Sequence, residues 1–408
     1  MEQRTNFAWP STSINREDYE AFCNWFDKNE RMLRQCQLVI WGAGIRGTIF
    51  SLFLKRKNFN DIVFVDGNSE KWGGCVNEFP ILSPKELEEQ RASSNRVILV
   101  ATENSADIEN ELEEKKYCKG NDYFVIKTGV YDNYVKEFER KYHNRVLVMG
   151  DCEFSTMAAE DKDYRTLAEL LNESFGKEEI KVLAMHGMGL RAFYNVFCSQ
   201  VDMGMKPELL FLMVNFDTLT GKQHLLPRSQ HAELIQRIYD GLEKKSEEFT
   251  AYADAVWERS KSIQAEFFTV REDKKESTVT DAKAKNYFRL NYLYRLDMET
   301  EGIRYLGKIL EKASEEGIKV IPYIPPVNYQ LGESLFGEKF KQLYEPNVDK
   351  VRLLLEEKGV ELLDLSYSLT ADMFADKRTP DETANDVGRK EVASIMETCI
   401  KRALNRPE

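Results

Sequence analysis

The chain has 408 residues, 42% of them hydrophobic and 31% charged, with a formal net charge of −12. That length provides for two or three domains with cores of their own. The acidic balance argues against nucleic acid as a partner, because such binding needs a concentrated basic surface that releases counterions.

The N-terminus, MEQRTNFAWPSTSINRED, lacks the apolar core of a signal peptide. Residues 17–35 place Phe22, Trp25, Phe26 and Leu33 on one helical face, which predicts a helical extension over 1–35. A first α/β domain is expected over 36–130. Its strands are read at QLVIWGAG, DIVFVDG, RVILVAT and DYFVIK, and helices at IRGTIFSLFLKRK and near PKELEEQ alternate with them. Such alternation predicts a parallel sheet with helices on its faces. Within it Gly42, Gly44 and Gly47 spell G-x-G-x-x-G after a strand and at the head of a helix. Glycines there permit a tight turn and let a phosphate approach backbone N–H groups at the positive helix end. Asp66 ends the next strand, where an acid accepts from ribose hydroxyls. The ligand expected on Gly42, Gly44, Gly47 and Asp66 is a nucleotide or nucleotide sugar; a loop that keeps its turn but binds nothing is the alternative.

YDNYVKEFERKYHN reads as a charged connecting helix over 131–143, after which the pattern restarts. In a second domain, 144–408, strands are read at RVLVMGD, IKVLAMHG, ELLFLMVNFD, KVIPYIPP and VELLDLS. A helical insertion over about 228–315 separates the third strand from the fourth, and a last helix starts near Asp386. The sequence therefore predicts two three-layer parallel-sheet domains in series. In the insertion, Tyr287, Leu290 and Tyr294 share one helical face, and Phe288, Tyr292 and Arg295 another. That pattern fits core packing better than a sugar-stacking surface.

The seven cysteines, Cys23, Cys36, Cys75, Cys118, Cys152, Cys198 and Cys399, are scattered and form no CxxC pair, so neither a disulfide framework nor a zinc ribbon is indicated. No stretch approaches the ~18 apolar residues that span a bilayer. These features predict a cytoplasmic protein without a membrane span.

The stretch VFVDGNSEKWGGCVNEFPILSPKEL followed by VILVAT resembles the small Rossmann-like domain at the N-terminus of sugar O-acyltransferases. That resemblance covers roughly 36–130 and implies a nucleotide-sugar ligand better than a hydride-transfer cofactor. Gly-Asp-Cys at 150–152 resembles the first block of the SGNH (GDSL-type) hydrolase superfamily, where Gly-Asp-Ser carries the nucleophile. Gly187 and Gly189 follow the second strand, where that family has an oxyanion-hole glycine, and Asn215 follows the third, where it has an oxyanion-hole asparagine. DETANDVGRKEVA resembles its last block, in which an Asp, here Asp381, precedes a His by three residues. YIPPVNY is also similar to SGNH-like proteins that help acylate bacterial surface polymers. The resemblance implies a flavodoxin-like SGNH-type domain with a helical insertion.

Two departures stand out. Cys152 replaces the serine, and the histidine position holds Ala384 or, aligned from Gly388, Thr383. The only histidines are His143, His186, His224 and His231. In a sheet ordered 2-1-3-4-5 the ends of strands two and one are neighbours, which would bring His186 toward Cys152. Asp151 and Glu153 are expected to disfavour the thiolate by like-charge repulsion. Two functions compete. One is an acyl esterase or acyltransferase on acylated glycans or sugar precursors, with Cys152, Asp151, Gly189, Asn215, Asp381 and His186 as its site. The other is a degenerate domain that binds a glycan precursor or a partner glycan-modifying enzyme. A nicotinamide-dependent oxidoreductase is weakest, since nothing after Asp66 reads as a hydride-transfer domain.

Overall fold

The structure, a computed structural model, describes residues 4–8, 13–91, 95–102, 105–126, 129–219, 231–269, 281–375 and 383–404, with backbone alone for 259–269 and 283. It is an α/β protein with one six-stranded and one five-stranded sheet, nearly all of whose pairings are parallel. It divides into two compact units. Met1–Gly129 and Met157–Lys162 make up most of the first; the second holds Val130–Thr156 and most of the chain from Asp163 onward. Among the described residues no helix is long and apolar enough to cross a membrane.

The first unit contains β1 (Ser13–Asn15), β2 (Gln37–Trp41), β3 (Ile62–Val65), β4 (Cys75–Val76), β5 (Phe79–Leu82), β6 (Arg96–Val100) and β7 (Tyr123–Val125). Its sheet runs β4-β5-β3-β2-β6-β7. Leu38, Val39 and Ile40 are completely buried, which is why β2 reads as an unbroken apolar run: both of its faces are covered. The hairpin β4–β5 is additional to the four strands expected. Asn77 and Glu78, at φ 50° and 78°, make its two-residue turn in the left-handed region that such connections demand. The helix Arg16–Leu33, capped by the Asn15 side chain, belongs to this unit and is no separate extension. Phe22 stacks on Phe50 with centroids 4.0 Å apart, and Phe26 and Leu33 are buried beside it. Trp25 is only half-buried and leans on Phe124.

The second unit is built on β8 (Val146–Gly150), β10 (Ile180–Ala184), β11 (Leu209–Met213), β12 (Lys319–Ile324) and β13 (Leu363–Asp364); the short β9 (Thr156–Ala158) lies outside this sheet and pairs with β1. The five strands are all parallel, in the order β10-β8-β11-β12-β13. This is the 2-1-3-4-5 order expected. Alternate residues of each strand feed opposite faces, as the two-residue period requires. Val146, Val148, Phe211 and Met213 pack with helices Leu167–Phe175 and Asp386–Ala403, whereas Leu147, Met149, Leu210 and Leu212 pack with helix Leu190–Asp202 and the helices of 232–315. Each fully buried leucine of this kind contributes about 1.5–3 kcal/mol of transfer free energy.

Two expectations need correction here, and a third gains detail. Helix Val130–Glu139 is no exposed linker, because Tyr134 and Phe138 are buried in the core of the second unit. The described helices of the expected insertion contribute to the core: Leu234, Ile235, Phe249 and Phe288 share one hydrophobic cluster with Leu147, Leu183 and Leu210. Its last helix, Glu301–Glu315, is the crossover that feeds β12. The helix Asp281–Asn291 also stops before Tyr292, so the two expected aromatic faces do not run through to Tyr294 and Arg295. Phe288 and Tyr292 are buried, and the Tyr294 hydroxyl donates to the Phe216 carbonyl at 2.8 Å.

Candidate functional site

The chain leaves β8 toward β10 on one side and later returns to β11 on the other, so the carboxyl end of β8 is a topological switch point. In open parallel sheets that is where loops part and a crevice forms. Gly150 ends the strand. A Cβ there would lie 2.3 Å from the Phe154 ring, so only glycine lets Phe154 fold back beneath the turn. Residues Cys152–Phe154 form that single 3-10 turn, with Asp151 as its N-cap.

Asp151 is buried at 3% exposure, and its carboxylate is heavily engaged. Oδ1 accepts from the Glu153 N–H at 3.1 Å, and Oδ2 accepts from Asn215 Nδ2 at 3.1 Å across the switch point. Cys152 itself is half-buried, and its carbonyl accepts from the Thr156 hydroxyl at 2.8 Å. Asn215 is held in turn by the Asp217 N–H, which donates to its Oδ1 at 3.3 Å. Glu153 is likewise 3% exposed; the Tyr323 hydroxyl on β12 donates to its Oε2 at 3.5 Å, and its Oε1 has no hydrogen-bond partner. Burial raises the Asp151 pKa, against the pull of its hydrogen bonds. Burial, and then the charge of Asp151, push Glu153 far above the usual carboxylate range. Both shifts run toward the protonated carboxyls and so against the expected pair of full negative charges flanking Cys152.

The Met185 N–H donates to the Gly150 carbonyl at 3.2 Å, which carries the β8–β10 ladder one step past the strands. His186 follows, then Gly187 at φ 65°, and Gly189 as the N-cap of helix Leu190–Asp202. The His186 ring meets His231 edge-on, with centroids 4.9 Å apart. His231 Nε2 donates to the His186 carbonyl at 2.6 Å, and its Nδ1 accepts from the Tyr131 hydroxyl at 3.1 Å, so the two contacts assign the tautomer. Burial first, and His186 second, lower the His231 pKa to about 3, which keeps that imidazole neutral.

Asp381 lies outside the described residues. Of its block, Thr383 and Ala384 are buried, and Asn385 caps the last helix by accepting from the Val387 and Gly388 N–H groups at 3.1 Å each. Arg389, 1% exposed, fixes this block to the loop before helix Leu167–Phe175. It donates to the carbonyls of Ala384 (3.0 Å), Arg165 (2.9 Å) and Asp163 (2.8 Å).

In the first unit, Gly42 has φ 121°, and a Cβ on Gly47 would lie 2.1 Å from the Gly42 carbonyl oxygen; both glycines are sterically required. Gly44, the N-cap of helix Ile45–Arg56, has nothing within 4 Å of an added Cβ. Asp66 faces this loop. Its Oδ2 accepts from the Ala43 N–H at 2.8 Å and from Lys71 Nζ at 2.9 Å, and Lys71 also donates to the Ala43 carbonyl at 3.0 Å. A ribose hydroxyl that reached Asp66 would join or displace these bonds.

Sequence reasoning missed Tyr323, Lys71, His231 and Arg389 as partners of site residues. Tyr323 had a signal, since it lies within the strand read at KVIPYIPP. The others come from chain segments distant from the motifs they support.

No family model matches the chain, and no curated protein does. Among solved structures it is similar to a GDSL-like lipase from Bacteroides thetaiotaomicron at 9% identity, covering 67% of this chain and 98% of that one, with a TM-score of 0.34. It is also similar to a catalytic mutant of an acetylxylan esterase from Geobacillus stearothermophilus at 11% identity, covering 64% and 96%, with a TM-score of 0.33. Likeness at this level does not fix a function.

Proposed function

We propose that the second unit is an SGNH-like acyl-transfer site, an esterase or acyltransferase for acylated glycans or sugar precursors, with Cys152 as nucleophile. One observation carries this reading. A partly accessible thiol opens the turn at the end of a central strand, and the carboxylate of the residue before it, Asp151, is tied to Asn215 across the switch point. A thiol is the nucleophile least dependent on a dedicated base, being a few per cent ionised near neutrality. N–H groups of the 187–189 turn and the Asn215 amide are the donors for the oxyanion. The test is intact mass after exposure to activated acyl esters. The wild type should gain one acyl group that Cys152→Ala does not, and equal labelling of both proteins would refute the reading.

A second reading, binding of a glycan precursor or partner enzyme without turnover, is favoured by the buried Thr383 and Ala384 where an imidazole would be needed. It predicts glycan binding that survives Cys152→Ala. For the first unit we propose a nucleotide or nucleotide-sugar ligand on the Gly42–Gly47 loop, with Asp66 and Lys71 beside it. Calorimetry with uridine and adenosine nucleotides and nucleotide sugars tests this, and silence from all of them refutes it.

A further inference from the structure

Asp66 ends β3 in the first unit, and the chain after it turns back on that residue. Its Oδ1 accepts from the Asn68 N–H at 2.9 Å, and Asn68 Oδ1 accepts from the Glu70 N–H at 3.0 Å, which opens the 3-10 turn Ser69–Lys71. Trp72 closes the loop. Its backbone N–H donates to the Ser69 carbonyl at 3.2 Å, and its indole Nε1 donates to the Asp66 carbonyl at 2.7 Å. Gly73 follows at φ 76°, and its N–H donates to the Ile81 carbonyl of β5 at 3.0 Å. The tryptophan is thus held through its backbone, its neighbour and its one polar side-chain atom, yet it is 43% exposed. Folding spares few large rings from burial, so an indole fixed in place and left in water is surface that a ligand can use. Its location says which ligand. The Asp66 carboxylate accepts from the Ala43 N–H of the glycine loop at 2.8 Å and from Lys71 Nζ at 2.9 Å. Glycine loop, carboxylate and indole edge therefore meet at one residue.

We propose that Trp72 is the platform on which the base of a nucleotide ligand stacks. The inference rests on the nucleotide reading of the first unit given above. A nucleotide with its phosphates at the Gly42–Gly47 loop and its ribose at Asp66 carries its base one glycosidic bond further on, beside the residue that anchors the indole. Stacking suits this side chain. Every base has a π-face, so an offset stack on the ring needs no match of donors and acceptors. A ring already held in place also loses little freedom when the ligand arrives. The indole N–H is engaged by the Asp66 carbonyl, so the ring offers the base a face and no donor. Trp72 should therefore add affinity for purine and pyrimidine nucleotides alike. The competing role, a staple that merely shapes the loop, uses the indole N–H and has no need of an exposed face.

Two variants of the full chain separate the roles. ADP and UDP are titrated by calorimetry into the wild type, Trp72→Ala and Trp72→Phe. Trp72→Ala should weaken nucleotide binding by about 5- to 150-fold, the span that loss of one base–aromatic stack covers. Trp72→Phe keeps a ring but cannot donate to the Asp66 carbonyl. It should recover most of the lost affinity if the ring face matters and none of it if the staple does. Unchanged affinity in Trp72→Ala overturns the assignment, and so does an equal loss in both variants. Fluorescence gives an arm that needs no variant with altered binding. Trp72 is one of five tryptophans, so the wild type minus Trp72→Phe isolates its emission. Saturating nucleotide should shield that emission from acrylamide, and a wild type that binds nucleotide with no change in acrylamide quenching also overturns the assignment. Silence of the wild type toward both ADP and UDP in calorimetry overturns it at an earlier step, together with the nucleotide reading on which it rests.

Discussion

Gly150 has no room for a side chain because the Phe154 ring occupies the space a Cβ would need. Gly150→Ala should therefore cost about 1–3 kcal/mol, the usual penalty for overpacking, and urea denaturation will read it. Gly44 is the opposite case, since an added Cβ meets nothing within 4 Å and φ is −111°. Gly44→Val should melt like the wild type but lose any nucleotide that needs backbone contact at the loop. Loss of stability in that variant would count against an open loop. Lys181 is wholly buried in β10. Its Nζ lies 3.0 Å from the Phe138 carbonyl and 2.9 Å from Gln200 Oε1, and burial lowers its pKa from 10.5 to about 8. Between those two values the unfolded chain binds more protons than the folded one, so this group makes stability rise with pH across that window and withdraws the gain as pH falls toward 8. Comparing Lys181→Met with the wild type isolates the effect, because every other titrating group is shared. The wild type should gain stability relative to the variant as pH climbs.

At the level of elements, the pin formed by Arg389 joins the start of the last helix to the loop at 163–165 through three carbonyls. Arg389→Ala removes the donor from all three carbonyls, of which that of Ala384 is buried, and should cost about 1–3 kcal/mol. Arg389→Lys should restore little, since an ammonium cannot reproduce the planar fork; recovery by lysine would show that charge alone matters. Arg389 could not have been singled out from the sequence, where it is one charge among many on an amphipathic helix. The strands were legible for a plain reason. Burial on both faces leaves β2, β3, β6, β8, β10 and β11 as apolar runs that no helix period explains. The hairpin β4–β5 was not, because its turn is Asn77-Glu78 where a glycine would have signalled a tight connection. Helix Lys339–Glu357 carries Pro346 in its interior, a residue that normally argues for a break. In the candidate site, the positions of Asp151, Cys152 and Asn215 just past strand ends were legible from the apolar runs that precede them. The raised pKa of Glu153 was not, because it depends on burial, and then on the Asp151 charge, inside the folded turn.

The whole molecule divides at residues 129/130, upstream of the charged stretch that the sequence suggested as a linker. Tyr134 and Phe138 belong to the core of the second unit, so a fragment of residues 130–408 should be more stable than one of 144–408. Thermal melts of the two followed by circular dichroism will show it, and equal melting would mean the helix Val130–Glu139 contributes nothing. The first unit draws Met157–Lys162 from later in the chain, so residues 1–129 alone should melt below the same unit in the full protein.

The strand order has a consequence for synthesis. β11 pairs with β8 on one side as soon as it emerges, but its other side is reserved for β12, which begins only at Lys319. At ordinary translation speeds the ribosome needs on the order of ten seconds to cover the intervening helices. Throughout that interval the backbone of Leu209–Met213 presents an unpaired apolar edge, the kind of edge on which strands from other chains add. A nascent chain stopped short of β12 is then a client for chaperones, and one released after it is not.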